Sequence, residues 1–176
     1  LLAHVDALLS TDQALAELDP PEAGQLRGLG PRIAQICDRL LDYRVPQTLV
    51  HGDLHLGNVA GAAEQFVFFD WTDACVAHPF FDLTTMLNSA EENLGSFQAA
   101  RARLADVYLG AWTDYEPIER LREACALALP LGALHQAVSY WHILTAVEAS
   151  AREEWAGATG YWLRKALALM PVAAGH

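Results

Sequence analysis

The sequence has 176 residues, which is long enough for one domain with a substantial buried core and short for two. Its hydrophobic fraction of 53% and charged fraction of 19% exclude intrinsic disorder, and no apolar run reaches the ~18 residues of a membrane-spanning helix. The 22 acidic residues outnumber the 11 Lys and Arg, and the resulting net charge of -11 argues against a nucleic-acid-binding surface. We therefore expect a soluble, globular protein whose partners include neither nucleic acid nor a membrane.

The first residues of the chain, from Leu1 to Leu9, have the pattern of the middle of an amphipathic helix, and no Met precedes them. We therefore expect the chain to be one part of a longer protein. The cysteines Cys37, Cys75 and Cys125 lie far apart and form no CxxC pair, which argues against a disulfide framework and a structural zinc site. This usage fits a reducing compartment, and we expect a cytoplasmic protein.

The region after the first helix divides into a turn-rich stretch and a second helix. Proline and glycine punctuate residues 19–30, and we interpret this stretch as a loop. From Pro31 the apolar residues recur at i, i+3, i+4, i+7 and i+8, which predicts a helix over residues 31–43.

The middle of the chain has the pattern of short strands. Residues 48–50 and 65–69 are apolar, β-branched or aromatic runs bounded by turn formers, and each run predicts a strand. Residues 61–64 join the second run to the segment 58–60, so these two form a predicted hairpin.

The second half of the chain has the pattern of helices, and no convincing strand follows Asp82. The predicted helices cover residues 97–108, 118–129, 131–149 and 155–170. Proline and glycine mark the predicted starts and ends, at Pro117, Pro130, Gly95, Gly110 and Gly157. The predicted fold class is therefore α+β, mostly α-helical, with one short β-hairpin.

The chemistry-bearing motif is the segment His51-Gly52-Asp53-Leu54-His55-Leu56-Gly57-Asn58, followed twelve residues after Asn58 by Asp70. The catalytic loop of kinases has the pattern H-R-D-L-x-x-x-N and is followed by a D-F-G acid. His51, Asp53, Leu54 and Asn58 occupy the specified positions of the first motif, and Gly52 replaces its Arg. The match predicts phosphoryl transfer, with a small molecule favoured over a protein as the acceptor.

Phosphoryl transfer explains why these residue types are present. A carboxylate must accept or orient the proton of the attacking hydroxyl, and Asp53 on a tight loop is the candidate base. Magnesium prefers oxygen ligands, which the side chains of Asn58 and Asp70 can supply. Gly52 permits the backbone conformation that such a loop needs. We expect His51 to belong with Asp53 to the catalytic residues and to hold the loop by hydrogen bonding.

The segment H-G-D-L-H-x-G-N, with D-W-T-D-A at residues 70–74 and D-L at residues 82–83, resembles the aminoglycoside phosphotransferase and choline kinase family. The resemblance implies a protein-kinase-like fold, with ATP and Mg²⁺ as cofactors. It implies that Asp53 is the catalytic base, that Asn58 and Asp70 bind magnesium and nucleotide, and that Asp82 is a structural acid bracing the loop. The sequence departs from the family pattern at Leu56, Cys75 and His78, where Pro, Gly and Asp are usual.

A kinase of this kind also needs an N-terminal lobe with a phosphate-covering loop and a strand-borne Lys. The single lysine, Lys165, lies in the last predicted helix, and no such loop is present in the sequence. We therefore expect residues 1–176 to form the C-terminal lobe, inactive alone, with the N-terminal lobe as its missing partner. We also expect self-association through the exposed face between the lobes.

The acceptor is expected to be the hydroxyl of a small molecule: an aminoglycoside-like compound, an amino alcohol or a sugar. His55 and Asp73 are the candidate acceptor-binding residues because they belong to the motif segments. The aromatic residues of the last helices could line a ligand site, but core packing is the favoured interpretation. They are Tyr140, Trp141, His142, Trp155, Tyr161 and Trp162.

Two alternatives remain open. His51, Asp53 and His55 alternate along the chain, and on a strand they would form one metal-binding face of a metallohydrolase. A non-catalytic pseudokinase or interaction lobe is the other alternative, although such lobes usually lack the base or a metal ligand.

Overall fold

The computed structural model describes residues 1–62, 65–94 and 98–171. Its helices are α1 (Leu2–Leu9), α2 (Asp12–Leu15), α3 (Pro20–Arg27), α4 (Gly30–Leu40), α5 (Phe81–Leu94), α6 (Gln98–Gly110), α7 (Ile118–Ala146) and α8 (Ala158–Leu169). Its strands are β1 (Thr48–Val50), β2 (Val59–Ala62), β3 (Gln65–Phe68) and β4 (Cys75–Ala77). Short 3-10 helices cover Leu56–Asn58 and Ala149–Trp155. The α+β, mostly helical class predicted from the sequence is confirmed.

The four described strands form two antiparallel pairs. β1 pairs with β4, with Val50 opposite Cys75, and β2 pairs with β3, with Val59 opposite Phe68. The predicted strands at 48–50, 58–60 and 65–69 are therefore confirmed, whereas β4 was not predicted, because Val76 is the one β-branched residue in its sequence Cys75-Val76-Ala77. The turn residues 63–64 lie outside the described residues. Together the pairs bring both ends of the motif region to one place.

The helix α7 is the centre of the core. It packs against α8, α5, α1, α4 and α6, and its buried residues lie on several sides, as expected for a helix enclosed by others. The largest fully buried side chains of the described core are Phe80, Leu8, Leu26, Ile33, Leu83, Leu121, Leu131, Leu134 and Leu163. Among the described helices, none is both long and apolar enough to cross a membrane.

The predicted break at Pro130 is wrong, because α7 runs from Ile118 to Ala146 with Pro130 inside it. An internal proline removes one helical hydrogen bond and costs about 3 kcal/mol. Pro130 is buried, and the apolar residues on both sides of it pack into the core. Burial of a single large side chain contributes about 1.5–3 kcal/mol, so the packing of this stretch outweighs the cost.

The predicted loop over residues 19–30 is also wrong, because it contains α3 and the start of α4. A capping box begins α3: Glu22 N–H donates to Asp19 Oδ1 at 2.7 Å, and Asp19 N–H donates to Glu22 Oε2 at 3.0 Å. Pro20 suits the first turn, where its missing N–H costs nothing. The sequence D-P-P-E therefore held a helix-start signal that the count of turn formers obscured.

The remaining helices agree in part with the prediction. α6 and α8 correspond to the predicted helices at 97–108 and 155–170, although Gly95 and Phe97 lie outside the described residues. The helix α5 was not predicted. Polar residues occupy buried positions along the segment from Asp82 to Ser89, and they interrupt the apolar pattern that a helix prediction needs. They are Asp82, Thr84, Thr85, Asn88 and Ser89.

Candidate active site

The loop between β1 and β2 carries the motif, and Asp82 ties it to α5. The backbone N–H groups of His51 and Gly52 donate to the two oxygens of the Asp82 carboxylate, each at 2.9 Å. Burial raises the pKa of Asp82, and these two donors oppose the shift by stabilising the ionised form. An acid in the first turn of α5 thus fixes the start of the loop.

Gly52 holds a conformation that other residues avoid. Its φ is +85°, in the left-handed region, and an added Cβ would lie 2.7 Å from the carbonyl carbon of Asp73. Its carbonyl oxygen accepts a hydrogen bond from the side-chain amide of Gln136 on α7. The N–H, the Cα and the carbonyl of Gly52 are therefore all held by tertiary contacts.

His51 is buried and both of its ring nitrogens are engaged. Nε2 lies 2.9 Å from the carbonyl oxygen of Phe69, and Nδ1 accepts the N–H of Asp53 at 3.3 Å. The carbonyl can only accept, so the proton resides on Nε2. His51 has no nitrogen left for a metal, and no group of three or more His, Cys, Asp or Glu in the described residues is arranged to hold one. The geometry thus weighs against the metallohydrolase alternative.

Asp53 lines a cavity of about 480 Å³, and 27% of its side chain is exposed. Burial raises the pKa of this carboxyl above its usual value, whereas the nearby His55, whose Nε2 lies 3.6 Å from Asp53 Oδ2, lowers it. A carboxylate with a raised pKa is a better proton acceptor. The arrangement can therefore take a proton from a group bound in the cavity.

Asn58 and Asp70 lie at the same end of the β2–β3 hairpin, because Phe69, which precedes Asp70, donates its N–H to the carbonyl of Asn58 at 3.2 Å. The side-chain nitrogen of Asn58 donates to the carbonyl of Asp53 at 3.0 Å, which leaves its oxygen as the atom available to a ligand. Asp70 has a φ of +62°, rare for a residue other than glycine and typical of functional sites. One amide oxygen and one carboxylate fit Mg²⁺, which commonly takes one or two carboxylates with phosphates and waters.

The far walls of the cavity come from helices α5, α7 and α8. The residues lining it beyond the β1–β2 loop are Thr85, Asn88, Ser89, Tyr140, Ala158, Tyr161 and Trp162. Two contacts organise them: Tyr161 donates to Asn88 Oδ1 at 2.7 Å, and the backbone N–H of Leu56 donates to Ser89 Oγ at 3.1 Å. Hydroxyl, amide and aromatic groups around a cavity of this volume are typical of small-molecule sites.

Sequence reasoning missed most of this cavity. The wall on α5 was missed with the helix itself, although Thr85, Asn88 and Ser89 have the i, i+3, i+4 spacing of one helix face. Tyr140 and Tyr161 were assigned to packing, whereas they line the cavity. Trp162 does both, since it also belongs to the buried core.

The two candidate acceptor-binding residues lie in different places. His55 lines the cavity with Asp53, whereas Asp73 lines a second cavity of about 410 Å³. There Asp73 Oδ1 accepts a hydrogen bond from Ser139 of α7 at 2.8 Å, and Cys75 Sγ lies 3.7 Å from His135 Nε2. Gln136 and Ser139 were not predicted, because nothing in the local sequence of α7 distinguishes them.

Two positions that depart from the family pattern are partly buried. Burial raises the pKa of the Cys75 thiol, which keeps it protonated, and burial lowers the pKa of His78 to about 4, which keeps it neutral. His78 Nδ1 accepts the N–H of Phe80 at 3.3 Å. Neither side chain adds a charge to the site at neutral pH.

Comparison with known proteins places the chain in a family. Residues 4–123 match the phosphotransferase enzyme family, APH. Among solved structures, the ethanolamine kinase of Plasmodium vivax matches with a TM-score of 0.60 and 16% identity, over 90% of this chain and 42% of that one. A comparison with curated proteins returned no match.

At 16% identity the structural likeness concerns the fold alone, and this chain spans less than half the length of that kinase. The family match covers more than half of the chain and includes the β1–β2 loop and the hairpin with Asp70. The family and the kinase-like fold predicted from the motif are therefore confirmed, and the chain belongs to the phosphotransferase enzyme family.

Proposed function

We propose that this chain, together with a nucleotide-binding N-terminal lobe, transfers the γ-phosphate of ATP to a hydroxyl of a small molecule. Membership of the phosphotransferase family and the kinase-like fold support a phosphotransferase. The observation that carries the proposal is the juxtaposition of Asp53 at a small-molecule cavity with Asn58 and Asp70 at the adjoining hairpin. Base and metal ligands are thus held by one strand-loop-strand unit.

Asp53 is the proposed base. The acceptor hydroxyl gives its proton to the Asp53 carboxylate as its oxygen bonds to the γ-phosphorus and the bond from that phosphorus to ADP breaks. The raised pKa of Asp53 favours this transfer. His51 supports it indirectly, because its Nδ1 holds the Asp53 N–H and its Nε2 binds the neighbouring strand end at Phe69.

Asn58 and Asp70 are the proposed magnesium and nucleotide ligands. When bound, Mg²⁺ would neutralise the charge that develops on the phosphate oxygens. The hydrogen bond from the Asn58 amide to the Asp53 carbonyl directs the amide oxygen, and Thr72 donates to Asp70 Oδ1 at 2.8 Å and orients that carboxylate. Both ligands are therefore oriented by neighbours on the same unit.

The cavity beside Asp53 is the proposed acceptor site. Its volume of about 480 Å³ accommodates an amino alcohol, a sugar or part of an aminoglycoside. His55 is the motif residue proposed to contact the acceptor; its position in the cavity wall, 3.6 Å from Asp53, supports this role. The contacts of Asp73 with Ser139 favour a role in holding the loop.

The test is phosphate transfer by a longer protein in which this chain is joined to the proposed nucleotide-binding lobe. The unmodified protein is expected to phosphorylate at least one member of a panel of amino alcohols, sugars and aminoglycosides with ATP and Mg²⁺. Asp53→Asn is expected to lower kcat by roughly 10²–10⁴-fold while leaving nucleotide binding intact, because it removes the base and no metal ligand. Asp114→Asn, the same change on an exposed turn, is the matched control.

Two results would count against the proposal. Near-normal turnover by Asp53→Asn would remove Asp53 from the role of base. Binding of ATP and Mg²⁺ without transfer to any hydroxyl compound would favour the non-catalytic alternative.

A further inference from the structure

One face of α7 contacts two segments of the site, one at Gly52 and the other at Asp73. Gln136 is 3% exposed, and its side-chain nitrogen donates to the carbonyl oxygen of Gly52, 84 residues away in sequence. Ser139, one turn further along, donates to Asp73 Oδ1 at 2.8 Å. Residues three apart lie on the same helix face, so a single face of α7 makes both contacts.

These two contacts converge on one structural unit. The Cα of Gly52 lies directly against the backbone of Asp73, with no room for a side chain between them. Gln136 holds the first of these residues and Ser139 holds the second, while Asp82 of α5 binds the N–H of Gly52. Gly52 is therefore bound by two helices: α7 binds its carbonyl oxygen and α5 binds its N–H.

We propose that Gln136 and Ser139 are positioning residues that hold the left-handed turn at Gly52 and thereby aim the Asp53 side chain into the cavity. The proposal rests on the proposed function, since it assigns these residues a role in presenting the base. Asp53 follows Gly52 directly, so a rotation of the Gly52 carbonyl changes the direction of the next residue.

The polar character of Gln136 distinguishes positioning from packing. Burying an amide costs free energy unless it is hydrogen-bonded, and an apolar side chain of similar length would fill the same space without that cost. The Gly52 carbonyl is buried as well, and it would lose its side-chain donor in such a variant. A buried glutamine is therefore explained by its bond to the loop.

The experiment measures amide hydrogen exchange in this chain. Gln136→Met keeps the length of the side chain and removes the donor, and Ser139→Ala removes one hydroxyl. We expect the amides of Gly52 and Asp53 to exchange about three to ten times faster, relative to the globally protected core amides, because one net hydrogen bond is lost in each variant.

Leu26→Val is the matched control. It weakens the core at a fully buried residue of α3, a helix that packs against α8. We expect it to lower global stability while leaving the relative exchange of the loop amides unchanged. If the loop amides of Gln136→Met and Ser139→Ala change no more than those of the control, the proposal is wrong. Ser139→Ala decides the matter if Gln136→Met does not fold.

A second readout separates this proposal from the proposed function. In the longer protein, Gln136→Met is expected to lower kcat at least tenfold with nucleotide affinity unchanged, and Gln136→Asn is expected to recover part of the loss. Normal kcat in Gln136→Met would overturn the positioning role while Asp53 remained the base. Normal kcat in Asp53→Asn would instead overturn the proposed function, whatever the exchange data show.

Discussion

At the residue scale, a comparison of two glycines distinguishes the cost of a left-handed backbone angle from the cost of a steric clash. Gly52 and Gly157 have nearly the same left-handed φ, +85° and +84°, but only Gly52 has a neighbour in the way. An added Cβ at Gly157 meets nothing within 4 Å, whereas at Gly52 it meets the backbone of Asp73. The shared angle makes them a matched pair.

We expect Gly157→Ala to cost about 1 kcal/mol of unfolding free energy, because only the left-handed conformation is penalised. Gly52→Ala is expected to cost a further 1–3 kcal/mol, about the cost of forcing an extra methyl group into a packed site. Urea denaturation of both variants measures the difference. Equal losses would mean that Asp73 can move away from Gly52 freely.

The pH dependence of phosphate transfer follows from Asp53. The base acts as the carboxylate, so kcat/KM is expected to fall as pH decreases through its pKa, which burial raises above the usual 3.8. His55 lowers that pKa, so His55→Gln is expected to move the acid limb of the profile to higher pH. A pH–rate profile of the longer protein measures the limb, and a shift to lower pH would contradict the assignment.

At the element scale, α7 approaches α5 closely at Gly132. A Cβ added there would lie 2.9 Å from Thr84 Cβ and 3.2 Å from the carbonyl oxygen of Phe81, so the two helices meet where α7 has no side chain. By contrast, Gly24 in α3 is exposed and has nothing within 4 Å of the added atom. The same substitution should therefore have opposite signs in the two helices.

We expect Gly132→Ala to destabilise the chain by about 1–3 kcal/mol through overpacking against Thr84. Gly24→Ala is expected to stabilise it by about 0.5–1 kcal/mol, because alanine loses less backbone entropy in a helix than glycine does. Thermal and urea denaturation of the two variants check both signs. A stabilising Gly132→Ala would show that α5 and α7 are not closely packed there.

At the scale of the whole molecule, the two strand pairs present an apolar surface. The large side chains exposed on or beside them are Leu49, Phe66, Val67, Phe68, Phe69, Trp71 and Val76. Groups of large exposed apolar side chains commonly mark surfaces that contact another protein chain or domain. We propose that in the chain alone a second copy covers these side chains.

We therefore expect the isolated chain to self-associate, with a weight-average mass that rises with concentration in analytical ultracentrifugation. Phe66→Ser, at a residue that is 67% exposed within this surface, is expected to weaken the association. Leu41→Ser, at a 79% exposed residue at the end of α4, is the control and should have no effect. A monomer at all concentrations would contradict the prediction.

The predictions that agree with the structure rest on patterns within a few positions of the sequence, and those that were wrong needed information on tertiary packing. The strands β1 to β3 and the motif from His51 to Asn58 were readable because their residue types and spacings lie within a few positions of one another. The break at Pro130 and the loop over 19–30 were wrong because local turn chemistry was weighed without the packing of α7 or the capping box of α3.

The sequence by itself determined the family and the residues of the strand-loop-strand unit. Their chemistry depends on residue identity at short spacing, which the chain carries regardless of how its helices pack. Only the tertiary structure decided what holds and surrounds that unit: Gln136 on Gly52, Ser139 on Asp73, and the cavity walls from α5, α7 and α8. The first contact joins residues 84 positions apart and the second joins residues 66 positions apart. Such pairs depend on how buried helix faces pack together, and the local periodicity of the sequence does not predict that packing.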